Sequence, residues 1–210
     1  MEIDPTALSP RDRHLLLTGL VVPRPIAWVS TVDADGRLNL APYSFFALVS
    51  SAPPTLIVSV GRRDGREKDT LANARATGEL VVNVVGRPLV EAMNASSVES
   101  GPDHDEFAFA GVTPVPSHAV RPPRVAEARA HLEARVTQVV PVADDDGRVA
   151  NHVIFARVVH VQLDDALFDP PHRVDTHGLD PVARLAGLTY APLGATFELT
   201  RPAVGETARG

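Results

Sequence analysis

The chain has 210 residues, enough for one domain with a substantial hydrophobic core. Its 22% charged and 44% hydrophobic residues are ordinary for a globular protein. The net charge of −6 argues against nucleic-acid or anionic-membrane partners, and the lack of cysteine excludes disulfides and thiolate nucleophiles. Because we find neither a secretory leader nor an apolar run of about 18 residues, we expect a cytoplasmic protein without a membrane span.

The first strand signal is an apolar, β-branched run over 25–32, which ends in a turn containing an Asp-Gly step. The returning strand over 37–46 contains Pro42. Since a central ladder tolerates proline poorly, this strand is predicted to lie at an edge or to be bulged. Further buried strands are predicted over 55–60 and 79–85.

Two short helices are expected among these strands. Asp69 or Thr70 can cap the first helix, and Gly78 can end it in the left-handed conformation. The second is expected to start at Pro88, since proline is favoured at the first helical position. The segment 99–124, rich in proline, glycine and charge, is interpreted as a long excursion with one short helix.

Strand signals return in the last third of the chain. The segment 131–140 alternates apolar and polar residues, and a turn leads into a long strand over 149–163. About six strands with a few short helices indicate a mainly β fold, a small antiparallel barrel. We expect a single domain over 1–210, with the barrel core over roughly 20–165 and a C-terminal extension over roughly 166–210.

Five local patterns sharpen this prediction. They are RPIAWVST at 24–31, NLAPYSFF at 39–46, KDTLAN at 68–73, ELVVN at 79–83 and PVARLAGLTY at 181–190. In this order and spacing they resemble the flavin reductase-like family of FMN-binding split barrels. The resemblance implies a six-stranded antiparallel Greek-key split β-barrel, a homodimer with one flavin in each of two clefts at the subunit interface.

Members of that family mostly reduce flavin with a nicotinamide donor, reduce ferric iron or supply reduced flavin to a monooxygenase. The resemblance therefore implies an NAD(P)H-dependent FMN reductase, with FAD a less expected cofactor than FMN. Its electrons would pass to free flavin, ferric iron or a partner monooxygenase. Two alternatives stay open: a flavin-binding carrier or sensor without rapid turnover, and a barrel that has lost the flavin and works through protein contacts.

The chemistry of a flavin phosphate suits the start of the first predicted helix. Lys68 supplies a positive charge and Thr70 a hydroxyl, while a helix beginning at Asp69 or Thr70 turns free amides towards an anion. Arg63 or Arg66 is expected to add a further charge-assisted contact. The competing interpretation is a solvated, charged hairpin that ends in an ordinary capped helix.

The polar edge of the flavin ring suits hydroxyl and amide side chains such as Ser30, Asn39 and Ser44. The family positions also imply, as lining residues, Ala27, Thr31, Ala41 and Phe45. Trp28 is a further aromatic candidate for shielding the ring, and Ser59 and Gly61 are candidates for closing the ribityl side. Phe45 is favoured over Phe46 because successive residues of a strand face opposite ways. Otherwise these polar groups bond locally and the aromatic side chains fill a core.

Three further positions complete the candidate site. In the family the segment around Arg184 and Tyr190 packs near the flavin, where an arginine could face the phosphate or a nicotinamide donor; the alternative is an inter-chain salt bridge. His152 begins the last long strand, where the family often carries a histidine, and is the one candidate for a catalytic role. No histidine spacing is typical of a metal site, so no metal is expected.

Overall fold

The computed structural model describes residues 1–63, 65–98 and 104–201. Their main sheet has seven long antiparallel strands: β1 (Ala27–Val32), β2 (Leu38–Tyr43), β3 (Phe46–Ser51), β4 (Pro54–Arg63), β5 (Glu79–Val84), β6 (Ala130–Ala143) and β7 (Val149–Leu163). The strand order is β2-β1-β5-β6-β7-β4-β3, and the short strand Arg66–Glu67 pairs with β4.

Short helices and hairpins surround this sheet. The α-helices of the described residues are α1 (Pro10–Leu20), α2 (Asp69–Thr77), α3 (Val90–Ala95), α4 (Glu106–Ala110) and α5 (Thr176–Leu179), with 3-10 turns at Pro5–Ala7, Arg87–Leu89 and Asp165–Leu167. The strands Arg24–Pro25, Val182–Arg184 and Tyr190–Pro192 form a three-stranded sheet. Two-stranded pairs join Pro114–Val115 to Arg124–Val125 and Phe168–Asp169 to Arg173–Val174.

The mainly β architecture agrees with the sequence, but the expected count of six strands does not match these seven. The strand that the sequence pattern missed is β3, whose Leu48 and Val49 are exposed and break the apolar alternation. The hydrogen-bonded path is also open. Its outermost strands, β2 and β3, are consecutive in the chain and are joined by Ser44 and Phe45, which we call the seam.

Proline 42 lies where the sequence placed it, in a strand at the edge of the sheet. In the main sheet β2 pairs with β1, where Pro42 stands opposite Trp28. An edge strand tolerates a residue without an N–H because one side of its backbone needs no ladder partner. The prediction of an edge position is confirmed.

Helix α2 ends as predicted and begins at Asp69, one of the two expected first residues. Gly78 closes the helix with φ of 70°, in the left-handed region where glycine has no steric penalty. The N-cap position, however, is occupied by Lys68, which makes no side-chain capping hydrogen bond. The expected cap by Asp69 or Thr70 is therefore wrong, since both residues lie inside the first helical turn.

Two hydrophobic clusters hold the barrel together. The first fills the barrel interior and includes Leu56, Val58 and Ile154, all fully buried. The second lies on the opposite face of β1 and β2, where Trp28 packs with Phe107 of α4. The described part of the 99–124 excursion thus covers its own barrel, with the single short helix that the sequence predicted.

The alternation over 131–140 holds in part. Arg135 is exposed as the pattern predicts, yet Glu133 on the same predicted polar face is fully buried. Its carboxylate accepts hydrogen bonds from the backbone amides of His118 and Ala119, at 2.8 and 2.5 Å. The excursion covers this face of the strand, so Glu133 is buried and holds the excursion through hydrogen bonds. The local alternation of polar and apolar residues cannot reveal this burial.

Candidate functional site

Four buried polar side chains join β1, β2 and α2, and we call them the polar cluster. The Asn39 amide donates to Thr31 Oγ1 and to Thr70 Oγ1, each at 2.9 Å. Asn73, which the sequence reading missed, donates to the same Thr31 oxygen at 3.1 Å. These contacts fix the first turn of α2 against the two strands, so three of the predicted site residues are brought together.

The first turn of α2 offers donors to an anion. Its N-cap residue, Lys68, is half-buried and leaves the first amides of the helix without a side-chain acceptor. Asp69 opens the helix and adds a negative charge to this turn. Free amides, the positive end of the helix dipole and a lysine together suit a phosphate group. The side chain of Arg63 lies outside the described residues.

A small recess adjoins the first turn of α2. Its lining includes Asp33, Asp69 and Glu106 together with Asn39, and its volume is about 30 Å³. That volume suits a water molecule. Arg37 and His104 also line the recess, and Arg37 forms an ion pair with Asp33 at 2.7 Å, so the acidic groups are partly offset. The recess is too small for a group the size of a phosphate.

The seam lies at the other end of β2. The Phe45 carbonyl accepts a hydrogen bond from the Ser59 amide at 2.8 Å, which joins the seam to β4. Phe45 is 44% exposed, whereas Phe46 packs partly against the barrel core. Of the two phenylalanines, Phe45 is therefore the one that faces outwards, in agreement with strand alternation.

Residues of β4 lie between the two ends. Ser59 and Gly61 are half-buried on the outer face of the barrel. The Ser59 hydroxyl accepts a hydrogen bond from the Asn151 amide of β7 at 3.0 Å. Asn151 is a second polar neighbour that the sequence did not single out, because it depends on pairing between strands that are 90 residues apart in the chain.

Arg184 and Tyr190 lie beside the seam. Together with Ile26, Tyr43, Ser44 and Ser97 they line a recess of about 120 Å³, which we call the arginine recess. The Arg184 guanidinium lies 4.6 Å from the centroid of the Tyr190 ring and donates to the Tyr190 hydroxyl. The structure thus brings the predicted tail residues and Ser44 to one place.

Arg24 is a clamp for this region. Its NH1 group donates to the carbonyl oxygens of Thr18 and Val21, both at 2.6 Å, and its NH2 group donates to that of Leu185 at 2.8 Å. The guanidinium also lies 6.0 Å from the centroid of the Phe45 ring. Arg24 therefore ties the end of α1 and the C-terminal extension to the seam.

Other predicted lining residues are directed into the protein. Trp28 is fully buried and its Nε1 donates to Ser96 Oγ at 2.8 Å, while the Ser30 hydroxyl donates to the Pro123 carbonyl at 2.5 Å. Ala27 is part of the barrel interior, and Ala41 packs against it. The side chains of these residues pack within the protein around β1 and β2. The structure brings them neither to the seam nor to Lys68 at the start of α2.

His152 lies inside the barrel, opposite Val60 of β4. Its Nδ1 is buried and lacks a hydrogen-bond partner among the described residues. Burial, followed by the nearby charge of Arg75, lowers the pKa of His152 below its ordinary value. The imidazole is therefore neutral at physiological pH and faces away from the outer surface of β4.

Across the described residues, no group of three or more His, Asp or Glu side chains is arranged to hold a metal ion. Nor does any described helix have the length and apolar character needed to span a bilayer.

The architecture is that of a small, mainly β barrel whose sheet is open at the seam between its outermost strands. The chain belongs to the flavin reductase like domain family, whose model matches residues 19–182. Solved structures that share its fold are flavin reductase-like split barrels. The resemblance noted in the sequence is thereby confirmed.

Individual proteins agree with this assignment. An uncharacterized protein of Halalkalibacterium halodurans is 42% identical over 207 residues, which cover 98% of this chain and 99% of that protein. The crystal structure of nitrilotriacetate monooxygenase component B from Bacillus cereus is 37% identical, with a TM-score of 0.91 and coverage of 95% of this chain and 98% of that one. The 2-nitrobenzoate 2-nitroreductase of Pseudomonas fluorescens is 27% identical, with a TM-score of 0.87 and coverage of 99% and 100%.

Proposed function

We propose that the protein is an FMN-dependent oxidoreductase of flavin reductase type, with the flavin ring at the seam and the phosphate at the start of α2. The observation that carries the proposal is the path of β2, which runs from Asn39 of the polar cluster to the seam at Ser44. Five residues of extended strand span about 17 Å at about 3.4 Å per residue. This span is comparable with the length of an FMN molecule from ring to phosphate.

The donors at the two ends fit the cofactor's chemistry. At α2, Lys68 and the first helical amides would meet the phosphate, and the polar cluster behind them would keep Thr70 and the helix in position. Between the ends, Ser59 and Gly61 of β4 lie on the outer face, where a ribityl chain would pass. At the seam, backbone groups and Ser44 would bond the polar edge of the ring.

We propose further that a second copy of the chain completes each site. Ligand pockets that bury a drug-sized molecule measure roughly 300–1,000 Å³, whereas the arginine recess beside the seam measures about 120 Å³. Phe45, Leu48 and Val49 on and after the seam are all more than 40% exposed. A homodimer would cover these apolar side chains and would supply the missing wall of the cleft.

The reaction we propose begins with NADH or NADPH as the donor. A flavin held here would supply the hydride-accepting and electron-transfer chemistry, so the protein's part would be to place the two rings together and exclude water. Similarity to a monooxygenase component favours a partner monooxygenase as the acceptor, with free flavin and ferric iron as alternatives. A role of His152 near the substrate is a separate hypothesis, which unchanged turnover and FMN affinity in His152→Ala would rule out.

The deciding experiment is an FMN titration of the purified protein, followed by anaerobic addition of NADH or NADPH. We expect saturable FMN binding and bleaching of the flavin absorption band. Protein that is colourless and has no measurable FMN affinity would refute the proposal. Binding without bleaching by either donor would support a flavin carrier or sensor in its place.

A variant tests the orientation of the cofactor. Lys68→Ala should weaken FMN binding by about tenfold or more, because a charge-assisted contact to the phosphate is lost, and it should leave riboflavin binding nearly unchanged. The matched control is Arg157→Ala, an exposed cation six residues along β7 from Asn151, which should change neither affinity. Equal losses for FMN and riboflavin would contradict a phosphate at this helix.

A further inference from the structure

The most buried cation of the described chain has no acid beside it. Arg24 is 7% exposed, and its guanidinium donates hydrogen bonds to neutral acceptors: three carbonyl oxygens and, at 3.5 Å, the Ser44 hydroxyl. No carboxylate of the described residues forms a salt bridge with it. Buried charges in proteins are normally paired, because an unpaired charge loses its hydration without compensation.

A second guanidinium lies close by and is also without an acid among the described residues. Arg184 donates to the Gly187 carbonyl, from Nε at 3.0 Å, and to the Tyr190 hydroxyl. Its charge acts on Arg24: burial and then the proximity of Arg184 lower the pKa of Arg24. Two like charges thus stand together, each surrounded by neutral groups.

Both arginines adjoin the arginine recess. Arg184 forms part of its wall, and Arg24 is linked to it through Ser44, whose hydroxyl lines the same wall. Ser97 lines the recess as well, with its hydroxyl donating to the Asn94 carbonyl at 2.6 Å, and Tyr190 adds an aromatic ring to the wall. Guanidinium and hydroxyl donors beside an aromatic face are the chemistry that recognises an oxyanion carried on a small organic molecule.

We propose that the arginine recess is a binding subsite for the carboxylate of a small organic molecule, next to the flavin ring. A carboxylate there would offset the two positive charges and would accept hydrogen bonds from Arg184 and Ser44. The size of the recess, about 120 Å³, suits a one-ring acid and is too small for a dinucleotide. The location beside the ring rests on the proposed function, whereas the preference for a carboxylate does not.

Benzoate is a suitable probe, with benzyl alcohol as its uncharged counterpart. Calorimetric titration of the full-length protein should show saturable benzoate binding and much weaker binding of benzyl alcohol. Arg184→Gln should weaken benzoate binding about tenfold, since one charge-assisted contact is lost, and Arg184→Lys should weaken it less. The control is Arg157→Gln, which changes an exposed arginine in the middle of β7 and should leave benzoate binding unchanged.

Three results would overturn the proposal: no saturable benzoate binding, equal binding of benzyl alcohol, or benzoate affinity that Arg184→Gln does not change. Inorganic phosphate that binds more tightly than benzoate would overturn the choice of a carboxylate. If circular dichroism shows that Arg184→Gln does not fold, Ser44→Ala provides the same comparison, with a smaller expected loss of benzoate affinity.

FMN titration of the same samples separates this proposal from the proposed function. Protein that binds FMN and not benzoate refutes the subsite, and protein that binds benzoate and not FMN refutes the flavin assignment. In FMN-loaded protein, benzoate should shift the flavin absorption spectrum. An unchanged spectrum on benzoate saturation would contradict a subsite next to the ring.

Discussion

Replacing Asn39 by alanine tests how far the polar cluster holds helix α2 in place. The substitution removes two buried hydrogen bonds, to Thr31 and to Thr70. A neutral hydrogen bond contributes about 0.5–1.5 kcal/mol, so the expected loss of unfolding free energy is about 1–3 kcal/mol. The upper part of this range is expected because both hydroxyl partners are buried and are left with fewer donors.

The assay is urea unfolding followed by far-ultraviolet circular dichroism, with the free-energy change taken from the midpoint and the slope. Asn151→Ala is the matched control, since it also removes an asparagine amide, but one that is half-buried and donates to a single hydroxyl. If Asn39→Ala lowers the free energy of unfolding no more than Asn151→Ala does, the polar cluster does not anchor α2 and the reasoning is wrong.

A second substitution at the same position tests the direction in which stability changes with pH. In Asn39→Asp the new carboxyl would be buried beside a recess lined by the carboxylates of Asp33, Asp69 and Glu106 and by Arg37, whose charge is already paired with Asp33. Burial and these like charges would raise the pKa of the new carboxyl. Its destabilising effect should therefore be largest at neutral pH and should decrease as the pH falls through the raised pKa, since protonation removes the charge.

Three further predictions concern the frame of the barrel. Gly78→Ala should lower the free energy of unfolding by about 1–2 kcal/mol, because residue 78 needs a positive φ, although a Cβ there would meet no atom. Gly194→Ala, at a position without that requirement, should leave the free energy of unfolding nearly unchanged in the same urea assay. Burial lowers the pKa of His131 below 6.5. As the pH is lowered, the histidine is protonated in the unfolded chain before it is protonated in the folded chain, which favours unfolding. The melting temperature should therefore fall between pH 7.5 and 5, and His131→Gln should reduce that fall. Arg24→Lys should lower the free energy of unfolding by about 2–4 kcal/mol in the urea assay, since an ammonium cannot bond α1, the extension and Ser44 together. A loss below about 1 kcal/mol would contradict the role of Arg24 in joining these segments.

The parts of the fold that the sequence predicted have strong local causes. The β1–β2 hairpin follows from the Asp-Gly turn, in which Gly36 adopts φ of 89°. Gly78 predicts the end of α2 in the same way, and the β6–β7 pair follows from two long runs of β-forming residues around a turn at 144–147. In each case the signal lies within a few residues of the feature.

Other features were missed although local signals exist for one of them. Helix α1 begins with Ser9 as N-cap, whose hydroxyl accepts from the Asp12 amide at 3.1 Å, followed by Pro10 at the first helical position. Both are known start signals. The edge strand β3 has no comparable pattern, since Leu48 and Val49 are exposed in the single chain.

The site was predictable in its segments and not in its geometry. Strand β1 is buried on both faces, so no alternation distinguishes the face of Trp28 and Ser30 from the face of Thr31. The polar partners Asn73 and Asn151, and the clamp formed by Arg24, depend on contacts between distant segments. Such contacts follow from the topology and leave no trace in a short stretch of sequence.

The seam has a consequence for how such proteins can change. A sheet edge presents peptide groups whose hydrogen-bonding pattern is the same whatever side chains they carry. In the proposed site, those groups would bond a planar ring whatever side chain stands at 45, so sequence drift there would be limited by the apolar subunit contact and not by the cofactor, apart from the exclusion of proline where an N–H is needed. Ser44 differs, because its hydroxyl is part of both proposed sites. Positions 45, 48 and 49 are therefore the natural ones for saturation libraries that aim to alter the electron acceptor while the cofactor is retained.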